Sequence, residues 1–152
     1  MHPAEIIYLT GLALAVIAVT SLTYFVRIAT ESMAPTLIVD DRLLVVRRPV
    51  LTRHCPARGQ VVVFTSGTDG RRVVKRVAAT GGDSVLVGGS ARADGSIDNG
   101  TRIDVPLDGI FVLGDNRRVS RDSREYGCIS SRQVTGRAVL VVWPPRRLRV
   151  VR

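Results

Sequence analysis

The chain has 152 residues, 22 of them lysine or arginine against 13 acidic residues, for a net charge of +9. That length allows one core beyond a membrane anchor and excludes two ordinary domains. The basic balance invites nucleic acid, yet aromatic residues make up only 5% of the chain. No stacking platform is present, so the surface reads as one solvated by arginine and drawn to anionic lipid headgroups rather than as a nucleic-acid binder.

The first element is the uncharged run Ile6 to Val26, IIYLTGLALAVIAVTSLTYFV. At about 1.5 Å rise per residue it crosses a hydrocarbon core of roughly 30 Å. A cleaved secretory signal has a shorter apolar core of about 7 to 15 residues and a basic start, so the run reads as an uncleaved anchor. Residues 1–27 are therefore the anchor segment and 28–152 one catalytic-sized domain. Arg27, Arg42, Arg47 and Arg48 all follow the span. By the positive-inside rule they argue for a cytoplasmic domain, but long translocated domains escape the rule, and composition leaves orientation open.

Beyond the anchor, valine-rich runs alternate with turn residues. Arg42 to Val46, Gln60 to Phe64, Val73 to Val77, Ser84 to Val87, Ile110 to Leu113 and Arg137 to Trp143 read as strands, and the domain as mainly β. Ser66 to Gly70 reads as a hairpin loop between two of them, and Gly88 to Gly100, polar and glycine-rich, as an exposed connection.

Few residues offer chemistry. A serine triad needs a histidine, and only His2 and His54 exist, the first before the anchor and the second in an arginine-rich loop. His54 and Cys55 lack the spaced partners zinc requires, so no metal and no cofactor is expected. Lys75 is the only lysine among 21 arginines. Arginine keeps its proton near neutral pH, whereas a desolvated lysine can serve as a general base, and Val74 and Val77 flank this one. Coding bias accounts for the arginines equally well. Ser32 lies in TESMAPTL just beyond the anchor, and Leu113 to Arg124, LGDNRRVSRDSR, supplies Ser120, Asp122 and Arg124. That last stretch reads either as turn chemistry with a surface ion pair or as a scaffold for a lysine base.

Together these segments resemble the bacterial type I signal peptidases, serine endopeptidases with a serine and lysine dyad. Ser32-Met33-Ala34-Pro35-Thr36-Leu37 is similar to the nucleophile segment, Arg58 to Phe64 to the following strand with Gln60 in place of aspartate, and Val74 to Val77 with Gly82-Asp83 to the lysine segment, with Gly81 where proline is common. Leu113 to Arg124 resembles the Gly-Asp-Asn box, and Gly136-Arg137-Ala138 with Trp143-Pro144 the closing strand. Five such segments in order make chance resemblance remote.

The resemblance implies a signal-peptidase-type β catalytic domain on one N-terminal transmembrane helix, with the domain outside the cytoplasm. It implies Ser32 as nucleophile, Lys75 as general base, Ser120 orienting the lysine, Thr30 with the Ser32 N–H as oxyanion donors, and Asp122 with Arg124 as a supporting ion pair. The implied partners are the lipid bilayer and signal peptides of exported preproteins, with small residues before the cut. Met33 is expected to dip toward lipid or line the groove. Cys55 and Cys128 suit a disulfide outside the cytoplasm and buried thiols inside it. Two rivals remain: a dedicated maturation or conjugation peptidase of the same superfamily, and a non-catalytic anchored β-domain. The basic tail from Arg146 to Arg152 is expected to be solvated or drawn to anionic lipid.

Overall fold

The computed structural model describes residues 3–48, 56–67, 70–88 and 100–152. Helix α1 runs from Pro3 to Leu22, 20 residues. It is apolar all round, and its described side chains are exposed. From Ala4 to Leu22 it is long and apolar enough to cross a membrane. Its two threonine hydroxyls turn back on the helix: Thr10 Oγ1 donates to Ile6 O at 2.7 Å and Thr20 Oγ1 to Val16 O at 2.9 Å. A threonine that satisfies itself this way carries no unpaired donor into an apolar surrounding.

The uncharged run does not stay helical to Val26. Strand β1, Thr23–Arg27, follows α1 directly and pairs antiparallel with β2, Arg42–Arg47, in a register from Thr23 opposite Val46 to Arg27 opposite Arg42. The expected span of 6–26 therefore divides at Leu22. Hydropathy cannot separate the two parts, because β-branched and aromatic residues such as Thr23, Tyr24, Phe25 and Val26 are apolar in either conformation; the partner strand decides.

The remaining strands are β3 (Val61–Thr65), β4 (Arg72–Thr80), β5 (Ser84–Val87), β6 (Thr101–Asp104), β7 (Gly109–Leu113), β8 (Ile129–Ser130), β9 (Val134–Trp143) and β10 (Arg149–Val150). The order in the main sheet is β1-β2-β9-β3-β4-β7-β8, with β10 on β9 and every pairing antiparallel; β5 and β6 form a separate ribbon. A short helix α2, Ser123–Tyr126, follows β7. The six expected strands are all present, and Ser66 and Arg71 close the β3–β4 hairpin through Ser66 N–H to Arg71 O at 2.8 Å. Most of the expected Gly88 to Gly100 connection lies outside the described residues.

Strand β3 is apolar without alternation because both its faces are covered. Val61 and Val63 join Met33, Leu37, Leu43 and Val141 in one buried cluster, while Val62 and Phe64 join Val77, Ile110, Val112 and Val134 in another. At about 1.5–3 kcal/mol for each large apolar side chain buried, these two layers supply the main stabilisation of the domain. They also set the place of Lys75, which lies opposite Val62 on β4 between Val73 and Val77.

Candidate active site

Ser32 sits on a single 3-10 turn, Glu31–Met33, in the loop between β1 and β2. The turn is closed by Ala34 N–H to Glu31 O at 3.0 Å and continued by Leu37 N–H to Met33 O at 2.8 Å. Of its two expected places Met33 takes the second, among the residues that line the groove. Its side chain is 1% exposed and packs with Leu37 in the core. An apolar residue next to Ser32 thus pins the turn from below, and Ser32 faces β4.

There Ser32 meets Lys75. The Lys75 Nζ donates to Ser32 Oγ at 2.7 Å, and the lysine is only 4% exposed. Burial is the largest influence on the amine and pushes it below the ordinary lysine value; Asp122 pulls it back, Arg124 acts in the same sense as burial, and Asp115 opposes. The net effect favours the neutral amine, whose lone pair can accept a proton from a hydroxyl at that distance. Thr30 Oγ1 lies 3.3 Å from Ser32 Oγ on an exposed residue just before the turn.

The box after β7 holds this pair from the side. Asp122 is fully buried, accepts Gly114 N–H at 3.0 Å, and receives Arg124 through Nε at 2.8 Å and Nη2 at 3.0 Å. Burial alone would raise its carboxyl, but the hydrogen bonds from Arg124 and Gly114 outweigh it and hold it below the usual carboxylate range. Arg124 also reaches the carbonyls of Arg117 at 2.8 Å and Ser120 at 3.2 Å, so the pair fixes the loop backbone. Ser123 Oγ accepts Val112 N–H at 3.0 Å, tying α2 to β7.

Ser120 is buried, with a hydroxyl that has no hydrogen-bond partner among the described residues. It adds a little to the stabilisation of Asp122 without reaching hydrogen-bond geometry. Its place is nonetheless close to the Ser32 turn: a side chain at Gly114 would put a Cβ 2.1 Å from Ser120 Oγ and 2.5 Å from the Ser32 carbonyl oxygen. Glycine is the residue that lets Ser120, the box and the Ser32 turn converge. Asn116 completes the contact, its N–H donating to Ser32 O at 3.0 Å. These two roles escape sequence reading, because Gly-Asp-Asn looks the same whether it turns a chain or cradles a backbone.

A second ion pair also goes unseen in the sequence. Arg76, next to Lys75, grips Asp115 through Nε at 2.8 Å and Nη2 at 2.7 Å, and through Nη1 it reaches Gly59 O at 2.8 Å. Burial works against the charged Asp115, yet Arg76 holds its carboxyl below the usual range. Thr30, Ser32 and Lys75 open onto a groove of about 940 Å³, with Val26, Phe64 and Ile129 among its apolar walls. Cys128, a half-buried free thiol whose acidity burial weakens, also lines it. His2, His54 and Cys55 lie outside the described residues, and the choice between a disulfide and buried thiols falls there with Cys55. Among the described residues no group of three or more His, Cys, Asp or Glu is placed to hold a metal ion.

The family described as signal peptidase, peptidase S26, matches residues 4–95 and 89–143. The chain belongs to the peptidase S26 family. It is 34% identical over 143 residues to a signal peptidase I of Leptolyngbya laminosa, a match covering 80% of this chain and 69% of the relative. A probable signal peptidase I-2 of Synechocystis is 33% identical over 140 residues, covering 80% of this chain and 63% of that one. Subunit 1b of the mitochondrial ATP-independent inner membrane protease of Arabidopsis thaliana is 34% identical over 115 residues, covering 74% of this chain and 66% of its own length. The chain thus spans about two thirds of the length of these relatives. A crystal structure of a signal peptidase I from Enterococcus faecalis V583 matches at a TM-score of 0.42 and 25% identity, covering 57% of this chain and 98% of that one.

Within this S26 peptidase the two departures noted in the sequence have local physical reasons. Gln60 closes its own turn, accepting Ala57 N–H on Oε1 at 3.2 Å and donating its own N–H to Ala57 O at 3.2 Å. Gly81 packs against Leu107, whose carbonyl oxygen would lie 2.2 Å from any Cβ there. Neither touches Ser32 or Lys75. The basic tail of the S26 peptidase is not merely solvated: β10 pairs with β9, Val151 packs on the core, and Arg147 binds buried Asp41 through Nε at 2.8 Å and Nη2 at 2.9 Å.

Proposed function

We propose that this peptidase removes N-terminal signal peptides from exported preproteins by acyl-enzyme chemistry, with Ser32 as nucleophile and Lys75 as general base. The observation that carries the reading is the 2.7 Å hydrogen bond between the two side chains, made in a buried setting that lowers the lysine's proton affinity. Neutral Lys75 takes the Ser32 proton as Oγ attacks the scissile carbonyl carbon. The oxyanion that forms is met by the Ser32 N–H and the Thr30 hydroxyl. Collapse breaks the C–N bond, and the ammonium of Lys75 returns its proton to the leaving amine. A water that gives a proton to Lys75 then hydrolyses the ester and releases the signal peptide.

The substrate lies extended along the groove, where the apolar walls beside Ser32 take small side chains before the cut. Asp122 with Arg124 holds the box, and the buried Ser120 hydroxyl, which has no other hydrogen-bond partner among the described residues, is the group we assign to orienting the lysine amine. α1 anchors the chain in the bilayer with the domain on the extracytoplasmic side. β1 and one loop then carry Ser32 a short distance from the membrane surface, where a signal peptide's cleavage site emerges at high effective concentration.

The test is cleavage of a preprotein with an alanine-x-alanine site by detergent-solubilised enzyme, followed by mass spectrometry of the new N-terminus. Wild type is expected to cut after the second alanine, and Ser32→Ala and Lys75→Arg to fall by roughly 10³-fold or more. Arginine keeps the charge and loses the removable proton, so activity surviving in Lys75→Arg would sink the mechanism. Cleavage of a single preprotein out of a varied panel would favour the dedicated peptidase instead.

A further inference from the structure

We infer that the segment Pro145–Arg152 is a strut that positions the Ser32 loop against Lys75, with Arg147 and Arg149 as its positioning residues. The inference rests on the Ser32 and Lys75 reading above. The loop from Ile28 to Asp41 is closed at its mouth by Ile28 N–H to Asp41 O and Asp40 N–H to Ile28 O, both 2.9 Å. Asn116 holds it on the side that faces the site, through the Ser32 carbonyl at 3.0 Å. The opposite side is held by the tail.

Arg147 is the first hold. Its two bonds to Asp41 fix a carboxylate that is 0% exposed and that also accepts Ile38 N–H at 3.0 Å. Arg149 is the second, donating through Nη2 to the main-chain oxygen of Thr36. Thr36 and Ile38 bracket Leu37, whose N–H bond to Met33 O at 2.8 Å runs straight to the turn carrying Ser32. A shift at Thr36 or Ile38 is therefore passed to the residue beside the nucleophile.

The tail also touches the other half of the dyad. The main-chain oxygen of Arg152 accepts Arg76 Nη1 at 2.9 Å, and Arg76 adjoins Lys75 on β4. One short segment, fixed to β9 through β10 and to the core through Val151, thus contacts both the loop that bears the serine and the strand that bears the lysine. A hydrogen bond between side chains on two separate elements keeps its length only if those elements are held together.

Lys75 is the only lysine in the chain, so full-length protein labelled with ¹³C at lysine Cε shows one signal, and that signal reports the dyad without any need for turnover. The variants are Arg149→Ala, which leaves the buried ion pair intact, and Asp41→Asn with Arg147→Met, which removes both charges together. Asp122, Arg124 and Asp115, the charged groups that act on Lys75, are unchanged in both. In folded variants the lysine signal is expected to titrate closer to the ordinary lysine value as the serine moves away and water enters. Cleavage is expected to lose about 10- to 100-fold in kcat with KM within about twofold.

An unmoved lysine titration in a folded variant overturns the inference, whether or not kcat falls, since the tail would then act elsewhere. Should the double variant fail to fold, Arg149→Ala decides alone. Absence of cleavage by the parent protein would overturn the proteolytic reading, and the lysine titration would still decide the strut.

Discussion

The proton affinity of Lys75 is set by burial acting against its acidic neighbours. Burial lowers its proton affinity, so the neutral form needed by a base appears at a lower pH than in free lysine. The rate of acylation is expected to rise with pH through that lowered value and then level off, with the rise lying on the acid side of the ordinary lysine pKa; a kcat/KM profile checks it. Asp122 works in the opposite sense. Its folded carboxyl titrates below the unfolded one, so the ion pair with Arg124 contributes stability that is full above the unfolded value and lost as pH falls through the folded value. Asp122→Ala should therefore cost about 2–4 kcal/mol at neutral pH, the lower part of the range for a broken buried pair because Arg124 is one-third exposed. Denaturant melts at pH 7 and pH 3 should show the gap between variant and parent closing in acid. Gly114→Ala tests contact rather than charge. Its Cβ would strike Ser120 Oγ and the Ser32 carbonyl, and the expected loss is about 100-fold in kcat with about 1–3 kcal/mol in stability.

At the scale of elements, the boundary between α1 and β1 has a direct consequence. Removing residues 1–22 deletes the helix alone, whereas removing residues 1–27 also takes β1, uncovers the edge of β2 and strips Tyr24 and Val26 from the core. The shorter deletion should melt like the parent domain, and the longer one should lose at least about 2 kcal/mol, from the apolar area of those two side chains. Thermal unfolding of both in detergent-free buffer checks it, and equal melting would show that β1 contributes nothing. Met33 offers a second check at this scale. Met33→Ala empties a core site beneath the nucleophile turn, at an expected cost of about 2–5 kcal/mol, with activity falling because the turn loses its lower support.

For the whole molecule, the apolar N-terminal helix, the mainly β domain and the six strands are legible in the sequence because each depends on local pattern. A 20-residue apolar run and short valine-rich segments between turn residues have few other solutions in water or lipid. The candidate site was legible in a different way, through the order of short motifs resembling a known family, and the family comparison agrees with that resemblance. Residue chemistry alone left Lys75 balanced between coding bias and a general base. Two things stayed open in the sequence because the partner that decides them is distant in the chain: where the apolar run turns from helix to strand, set by Val46 opposite Thr23, and what the arginine tail meets, set by Asp41 for Arg147.

What the amino-acid sequence determined by itself was therefore the inventory: an apolar run long enough to span, a strand-forming domain, one lysine, and a serine placed soon after the run. Tertiary structure alone decided the rest. It put Lys75 2.7 Å from Ser32, made Gly114 the point where the box meets the Ser32 turn, and joined the basic tail to buried Asp41. The physical reason is range. Propensity and hydropathy act over a few neighbouring residues, while burial, ion pairing and a lowered lysine pKa arise only when segments remote in sequence exclude water from one another.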